Sequence, residues 1–182
     1  SVERPRFLLW HATRDILSID GRHLFWDEPS TLRQIVSSYG IVVRESVFLL
    51  EELEHPRLSE PRLVRIVEAG WDAWVSAPEV DGVLLAAAKL ERPWWLSLRK
   101  ALLREDTMFI SVRFEGGDER TFRFVPDQAQ SGLWMSPLPR DVQELGRILR
   151  GNFSQARTEA IKFHGNPDFG PIVVTWSVLN LR

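Results

Sequence analysis

A chain of 182 residues, 44% of them hydrophobic, is long enough to bury one sizeable core. A formal net charge of -2 and a pI of about 6.1 give it no overall attraction to a phosphate backbone, so we expect no nucleic-acid partner. The chain has no cysteine, which excludes disulfides, thiolate metal sites and cysteine nucleophiles.

The first 80 residues are predicted to lean towards helix. Ser30 can cap a helix near 31–39. Serine caps and an early proline predict two further helices, near 46–54 and 60–69. In the last of these helices we expect a buried stripe formed by Leu63, Val64, Ile66 and Val67.

From Asp81 onward the hydrophobic pattern of the sequence is typical of strands. Apolar residues alternate along 108–114, which is the period of a strand. Gly116-Gly117-Asp118 predicts a tight hairpin, and the turn at 165–168 predicts a second one. Strands are predicted at 82–90, 108–125, 157–164 and 171–181, and helices near 94–104 and 139–150.

These elements predict one α+β domain over residues 1–182, helix-leaning in 1–80 and strand-leaning in 81–182. The two hairpins indicate a mainly antiparallel, sandwich-like sheet flanked by four to five short helices. A doubly wound parallel sheet fits this order of elements less well.

Local signatures of an enzyme are missing from the sequence. It contains no G-x-S-x-G, no P-loop and no G-x-G-x-x-G. The four histidines have no metal-ligand spacing, so we predict no metal site and no cofactor. A hydrolase or transferase remains the alternative, with a site that converges in the fold from distant residues such as His11, Asp15 and His164.

Eight tryptophans are the most unusual feature of the composition. Trp10 and Trp176 sit in apolar runs and are expected in the core. Trp74 and three others lie near turns or helix starts, where a planar ring with an N–H edge can meet a sugar, a lipid headgroup or a peptide. The predicted ligand-binding residues are Trp94, Trp95, Trp134, Arg92, Arg99 and Arg123. The alternative is that these rings complete a second small core.

Two passages in the second half carry a resemblance to a known group of proteins. They are Phe122-Arg123-Phe124-Val125-Pro126 and Ser131-Gly132-Leu133-Trp134-Met135-Ser136-Pro137-Leu138. Residues 81–182 thereby resemble the soluble C-terminal part of uncharacterised bacterial polytopic membrane proteins, some of them glycosyltransferase-like. The resemblance implies an extracytoplasmic domain attached to a membrane segment outside this chain, and it supplies no catalytic residues.

The leading functional hypothesis is a non-catalytic, tryptophan-rich binding or accessory module. Its partner would be a carbohydrate, a lipid-linked glycan or a protein, on the extracytoplasmic face of a bacterial membrane. A third hypothesis is a small cytoplasmic partner protein, such as a toxin inhibitor, which a mildly acidic, cysteine-free chain would suit.

Overall fold

The computed structural model describes residues 4–11, 16–18, 20–44, 47–90, 107–154, 157–165 and 170–182. The strands within them are β1 Phe7–Trp10, β2 Tyr39–Arg44, β3 Phe48–Glu52, β4 Arg62–Ala69, β5 Trp74–Ser76, β6 Val83–Leu90, β7 Met108–Phe114, β8 Glu119–Phe124, β9 Leu133–Ser136, β10 Thr158–His164 and β11 Ile172–Leu179. The helices are α1 Pro29–Ser38, α2 Pro126–Ala129 and α3 Val142–Leu149, and Leu24–Trp26 forms a 3₁₀ turn.

Eight of the strands form two antiparallel sheets of four strands each. The front sheet has the order β5-β10-β7-β8, and the back sheet has the order β4-β11-β6-β9. From β4 onward the chain crosses from one sheet to the other at every connection except the β7–β8 hairpin. This strand order is that of a jelly roll, a sandwich built from two Greek keys. The sheet is therefore mainly antiparallel, as the sequence predicts.

The core lies between the inward faces of the two sheets. In the front sheet, Met108, Ile110, Val112 and Phe114 of β7 are buried, together with the apolar residues of β8 and β10 that share their face. In the back sheet, β11 buries Ile172, Val174, Trp176 and Val178. Because side chains alternate along a strand, the intervening residues of β7, β8 and β10 are left on the outward face of the front sheet.

A three-stranded sheet of order β1-β3-β2 precedes the sandwich and is joined to it by Arg57. The Arg57 guanidinium donates to the carbonyl of Tyr39 at 2.7 Å and to the carbonyl of Leu149 at 3.1 Å. It thereby connects the start of β2 with the C-terminal end of α3. Burial lowers the pKa of Arg57, and the two carbonyl oxygens provide acceptors for its N–H groups.

Two of the predicted helices are wrong, because both segments are strands. Residues 46–54 contain β3, in which Phe48 and Leu50 are buried and alternate with less buried neighbours. Residues 60–69 contain β4, an edge strand of the back sheet that pairs with β11. Its β-branched residues favour a strand, and its expected stripe is largely exposed, with Leu63 at 58% and Ile66 at 59%. The helix-leaning character predicted for residues 1–80 is therefore also wrong.

The other predicted elements divide into three groups. The helices near 31–39 and 139–150 are confirmed as α1 and α3, and all four predicted strand regions contain strands. The helix near 94–104 lies outside the described residues. The second hairpin is wrong, because β10 belongs to the front sheet and β11 to the back sheet. The described part of the chain has three α-helices rather than four to five, and none of them is long and apolar enough to cross a membrane.

Candidate functional site

The structure buries Trp134, which the sequence analysis places on a ligand-binding surface. Trp134 is 2% exposed, and its Nε1 donates to the carbonyl of Pro137 at 2.6 Å. Its own carbonyl accepts a hydrogen bond from Nε1 of Trp26 at 2.9 Å. The prediction fails because β9 is covered by the 3₁₀ turn and by α1, which the turn residues before Trp134 do not reveal. Trp134 is a core residue.

Of the other five predicted ligand-binding residues, the structure describes one. Trp94, Trp95, Arg92 and Arg99 lie outside the described residues. Arg123 lies on the outward face of β8, and its Nη1 donates to Oδ2 of Asp20 at 2.9 Å. The guanidinium of Arg22 lowers the pKa of Asp20 to about 2, so Asp20 is ionised near neutral pH and offsets the charge of Arg123.

A different set of side chains comes together on the outward face of the front sheet. Cross-strand pairing places Trp74, Lys162, Ser111 and Thr121 in one row across the four strands. The next row contains His164, Phe109 and Arg123, and the row on the other side contains Arg113. We call the polar sheet face the set formed by Trp74, Phe109, Ser111, Arg113, Thr121, Lys162 and His164.

Two cations lie against the indole ring of Trp74. The guanidinium carbon of Arg113 is 4.0 Å from the ring centroid, and Nζ of Lys162 is 4.6 Å from it. Both distances are within the range of a cation–π contact. Arg113 is also held by Glu119, whose Oε1 accepts from Nε at 2.7 Å. These contacts leave Trp74 half-buried and fix its position on the sheet.

A second aromatic ring on this face is open to solvent. Phe109 is 41% exposed, although the rest of β7 is largely buried. It is two residues from Ser111 along the strand and directly opposite His164 on β10. Lys162 and His164 on β10 therefore lie between the rings of Trp74 on β5 and Phe109 on β7, and Ser111 lies beside Phe109.

A continuous chain of hydrogen bonds crosses the polar sheet face. Thr121 Oγ1 is 2.7 Å from Ser111 Oγ, which is 2.8 Å from Nε2 of His164. Nδ1 of His164 is 2.6 Å from Oδ1 of Asp72. The exposure changes along the chain: Ser111 is 5% exposed, whereas the side chains of His164 and Asp72 are 30% and 65% exposed.

Asp72 is held in place by its backbone. Its φ of 55° lies in the left-handed region, which aspartate tolerates better than most residues. Its N–H donates to the carbonyl of Phe163 at 2.8 Å, which ties it to the residue before His164. The neighbouring Trp71 donates from Nε1 to the carbonyl of Gly170 at 2.8 Å. The contact between Asp72 and His164 is thus supported by one main-chain hydrogen bond of Asp72 and by the indole hydrogen bond of its neighbour Trp71.

The direction of the hydrogen bonds follows from the chemistry of the groups. An ionised Asp72 only accepts, so Nδ1 of His164 carries a proton and donates to it. In the neutral imidazole Nε2 is then an acceptor, and the hydroxyl of Ser111 donates to it. Thr121 donates in turn to Ser111 Oγ. Each proton therefore points towards Asp72, an arrangement that makes Ser111 Oγ more nucleophilic.

The residues of the predicted converging site do not all meet. His164 joins Ser111 and Asp72, whereas His11 lines a separate groove of about 370 Å³ with Asp20 and Asp27. Asp15 lies outside the described residues. Among the residues that the structure describes, no group of three or more His, Asp or Glu side chains could hold a metal ion.

The edge of the polar sheet face opens into a groove. Thr121 lines a groove of about 680 Å³ between the edge strand β8 and the start of α3. Arg120 and Arg140 lie in its walls. Arg140 is held by Glu144 at 2.5 Å, and this hydrogen bond raises the pKa of the guanidinium. The groove therefore leads from an edge that carries two ion-paired arginines and Asp141 to Thr121, the first residue of the hydrogen-bonded chain.

Comparison with protein-family models, with curated proteins and with solved structures finds no match to this chain. The fold assignment therefore rests on strand order, and the site rests on its own geometry.

Proposed function

We propose that the chain is a binding module that takes a carbohydrate on the polar sheet face. The observation that supports this function is the placement of two aromatic rings, Trp74 and Phe109, on either side of an imidazole and an ammonium group, with two hydroxyls beside them. A sugar ring presents apolar C–H faces and polar hydroxyls, so it needs both kinds of partner side by side.

The polar groups of this face include the hydrogen-bond donors and acceptors that the hydroxyls of a sugar need. Thr121 is an exposed hydroxyl that both donates and accepts, and Lys162 offers N–H donors only. Within the described part of the chain, Lys162 has no carboxylate partner and contacts the ring of Trp74. It is therefore available to a ligand hydroxyl or carboxylate without the loss of an ion pair.

The proposed location follows the resemblance of residues 81–182 to domains of bacterial membrane proteins. On that basis the natural ligand is a glycan or lipid-linked glycan outside the cytoplasm. A flat sheet face with two aromatic rings also suits a peptide, so the experiment distinguishes a glycan from a protein partner.

The experiment is a screen of the purified chain on an array of bacterial glycans, followed by calorimetry with the strongest binding oligosaccharide. Trp74→Ala and Phe109→Ala are expected to weaken binding by about fivefold each, since one stacked ring contributes about 1 kcal/mol. Phe7→Ala is the matched control, because Phe7 is an exposed phenylalanine at 48% in the separate sheet β1-β3-β2.

Equal affinity of Phe109→Ala and Phe7→Ala for the oligosaccharide would place binding elsewhere and overturn the proposal. Absence of any glycan binding, together with capture of a peptide that is lost in Trp74→Ala, would assign the face to a protein partner instead.

A further inference from the structure

We propose that Asp72, His164 and Ser111 are a catalytic triad that hydrolyses an ester on the bound ligand, most simply an O-acyl group on a carbohydrate. The substrate class rests on the proposed function. The reactivity of Ser111 does not, because it depends only on the geometry of the three residues.

The distances are those of an activated serine. A nucleophile and its base need a separation of roughly 2.6–3.2 Å, with the base oriented by a third group. Ser111 Oγ is 2.8 Å from Nε2 of His164, and Nδ1 of His164 is 2.6 Å from Asp72. The three residues come from β7, from the end of β10 and from the turn before β5. Such roles are recognised by geometry rather than by position in the sequence.

Side chains supply the stabilisation of the negative oxygen that forms during the reaction. β7 lies between β10 and β8, so its central N–H groups are used in the sheet. Thr121 Oγ1 is 2.7 Å from Ser111 Oγ, and its hydroxyl can turn to donate to the new oxyanion. Lys162 is the cross-strand neighbour of Ser111 on the same face, and its ammonium, which lies over the ring of Trp74, can turn towards the new oxyanion.

The proposed reaction has two steps. Ser111 Oγ attacks the ester carbonyl carbon while its proton passes to Nε2 of His164, and the sugar oxygen then leaves with that proton. Water, deprotonated by His164, attacks the acyl-serine and releases a carboxylic acid and the free serine. The sum is ester plus water to alcohol plus acid, with no other reactant.

Access to Ser111 requires movement of the residues above it. Ser111 is 5% exposed, and the exposed Thr121 beside it lines the groove of about 680 Å³ at the β8 edge. The side chain of Lys162 has four methylene groups and no ion pair among the described residues, so its ammonium can leave the ring of Trp74 at little cost. The acyl group would enter from this groove, which Thr121 lines.

The test uses two probes, a fluorophosphonate that labels activated serines and 4-nitrophenyl acetate as a small ester. The full chain is expected to be labelled at Ser111, as located by peptide mass spectrometry, and to hydrolyse the ester. Ser111→Ala should abolish both signals. His164→Ala and Asp72→Asn should lower the rate about 100-fold or more, and Thr121→Val about tenfold.

Circular dichroism in the near ultraviolet first confirms that each variant is folded. Absence of label on Ser111 in the folded full chain would overturn the triad, as would undiminished hydrolysis in folded Ser111→Ala. The two proposals fail independently. Labelling of Ser111 without any oligosaccharide binding would overturn only the proposed function, oligosaccharide binding without labelling would overturn only the triad, and Phe7→Ala, in the separate sheet, should leave both signals unchanged.

Discussion

The ring of Trp71 lies directly against Gly165, so close that a Cβ at residue 165 would be 2.6 Å from the ring. Gly165 follows His164, and Trp71 precedes Asp72. The two residues that meet in the hydrogen-bonded chain are therefore flanked by two others that are packed in contact. The absence of a side chain at residue 165 is what allows the two segments to approach.

Gly165→Ala should force Trp71 to move and disturb the contact between His164 and Asp72. We expect a loss of about 1–3 kcal/mol in the free energy of unfolding, because the added methyl meets a rigid ring. Urea denaturation measures this loss. Gly70→Ala is the matched control, since its Cβ would be 3.8 Å from Ala73, an ordinary contact. Equal stability of the two variants would show that Trp71 is not packed against Gly165.

A buried histidine makes the stability of the fold depend on pH. His23 is 2% exposed, Nε2 is 2.8 Å from the carbonyl of Pro139, and Nδ1 accepts from the N–H of Phe25 at 3.1 Å. Both ring nitrogens are satisfied in the neutral form, with the proton on Nε2. Burial, together with the smaller effect of the positive charge of Arg120, lowers the pKa from 6.5 to about 4.

The unfolded chain therefore binds a proton at His23 below about pH 6.5, whereas the folded chain does not do so until about pH 4. Stability is expected to fall as the pH drops through this range, with a contribution from His23 on the order of 3 kcal/mol. His23→Asn keeps an acceptor for Phe25 and cannot titrate. Urea denaturation from pH 6.5 to 4.5 should give a flatter profile for this variant, and an identical profile would contradict the assignment.

The strand assignment of 62–69 has a direct consequence for mutation. Ile66 is 59% exposed on β4, whereas Ile172 on the paired strand β11 is fully buried. Ile66→Lys is expected to change the free energy of unfolding by about 0.5 kcal/mol or less. Ile172→Lys should cost roughly 3 kcal/mol or more, because it buries a charge without a partner. Similar losses in the two variants, measured by urea denaturation, would contradict the exposed position of Ile66 on β4.

The sequence predicts the second half of the fold well because its strands have one buried face. Alternation in β7 and β8, and the glycines between them, specify a hairpin without knowledge of the rest of the molecule. Prediction fails at β4, where Leu63 and Ile66 are exposed and the apolar pattern no longer marks a core. It also fails for the last two strands, because a short connection does not reveal whether they share a sheet.

Two residues of the candidate site can be recognised from the sequence. Ser111 is the small polar residue within an apolar strand, and His164 ends a predicted strand just before a turn. Their meeting with Asp72 is not predictable, because 53 and 92 residues separate the partners and the pairing depends on sheet order. The surface position predicted for Trp134 is wrong for a related reason, because proximity to a turn in sequence does not measure exposure in the fold.

The most direct test of ligand binding on the polar sheet face is to follow the indole N–H signals of the tryptophans by NMR during titration with the oligosaccharide. Trp26, Trp134 and Trp176 are buried and serve as internal controls. If the ligand binds on the polar sheet face, the Trp74 signal shifts in proportion to saturation while those three stay fixed. A Trp74 signal that does not move while binding saturates would contradict binding on this face.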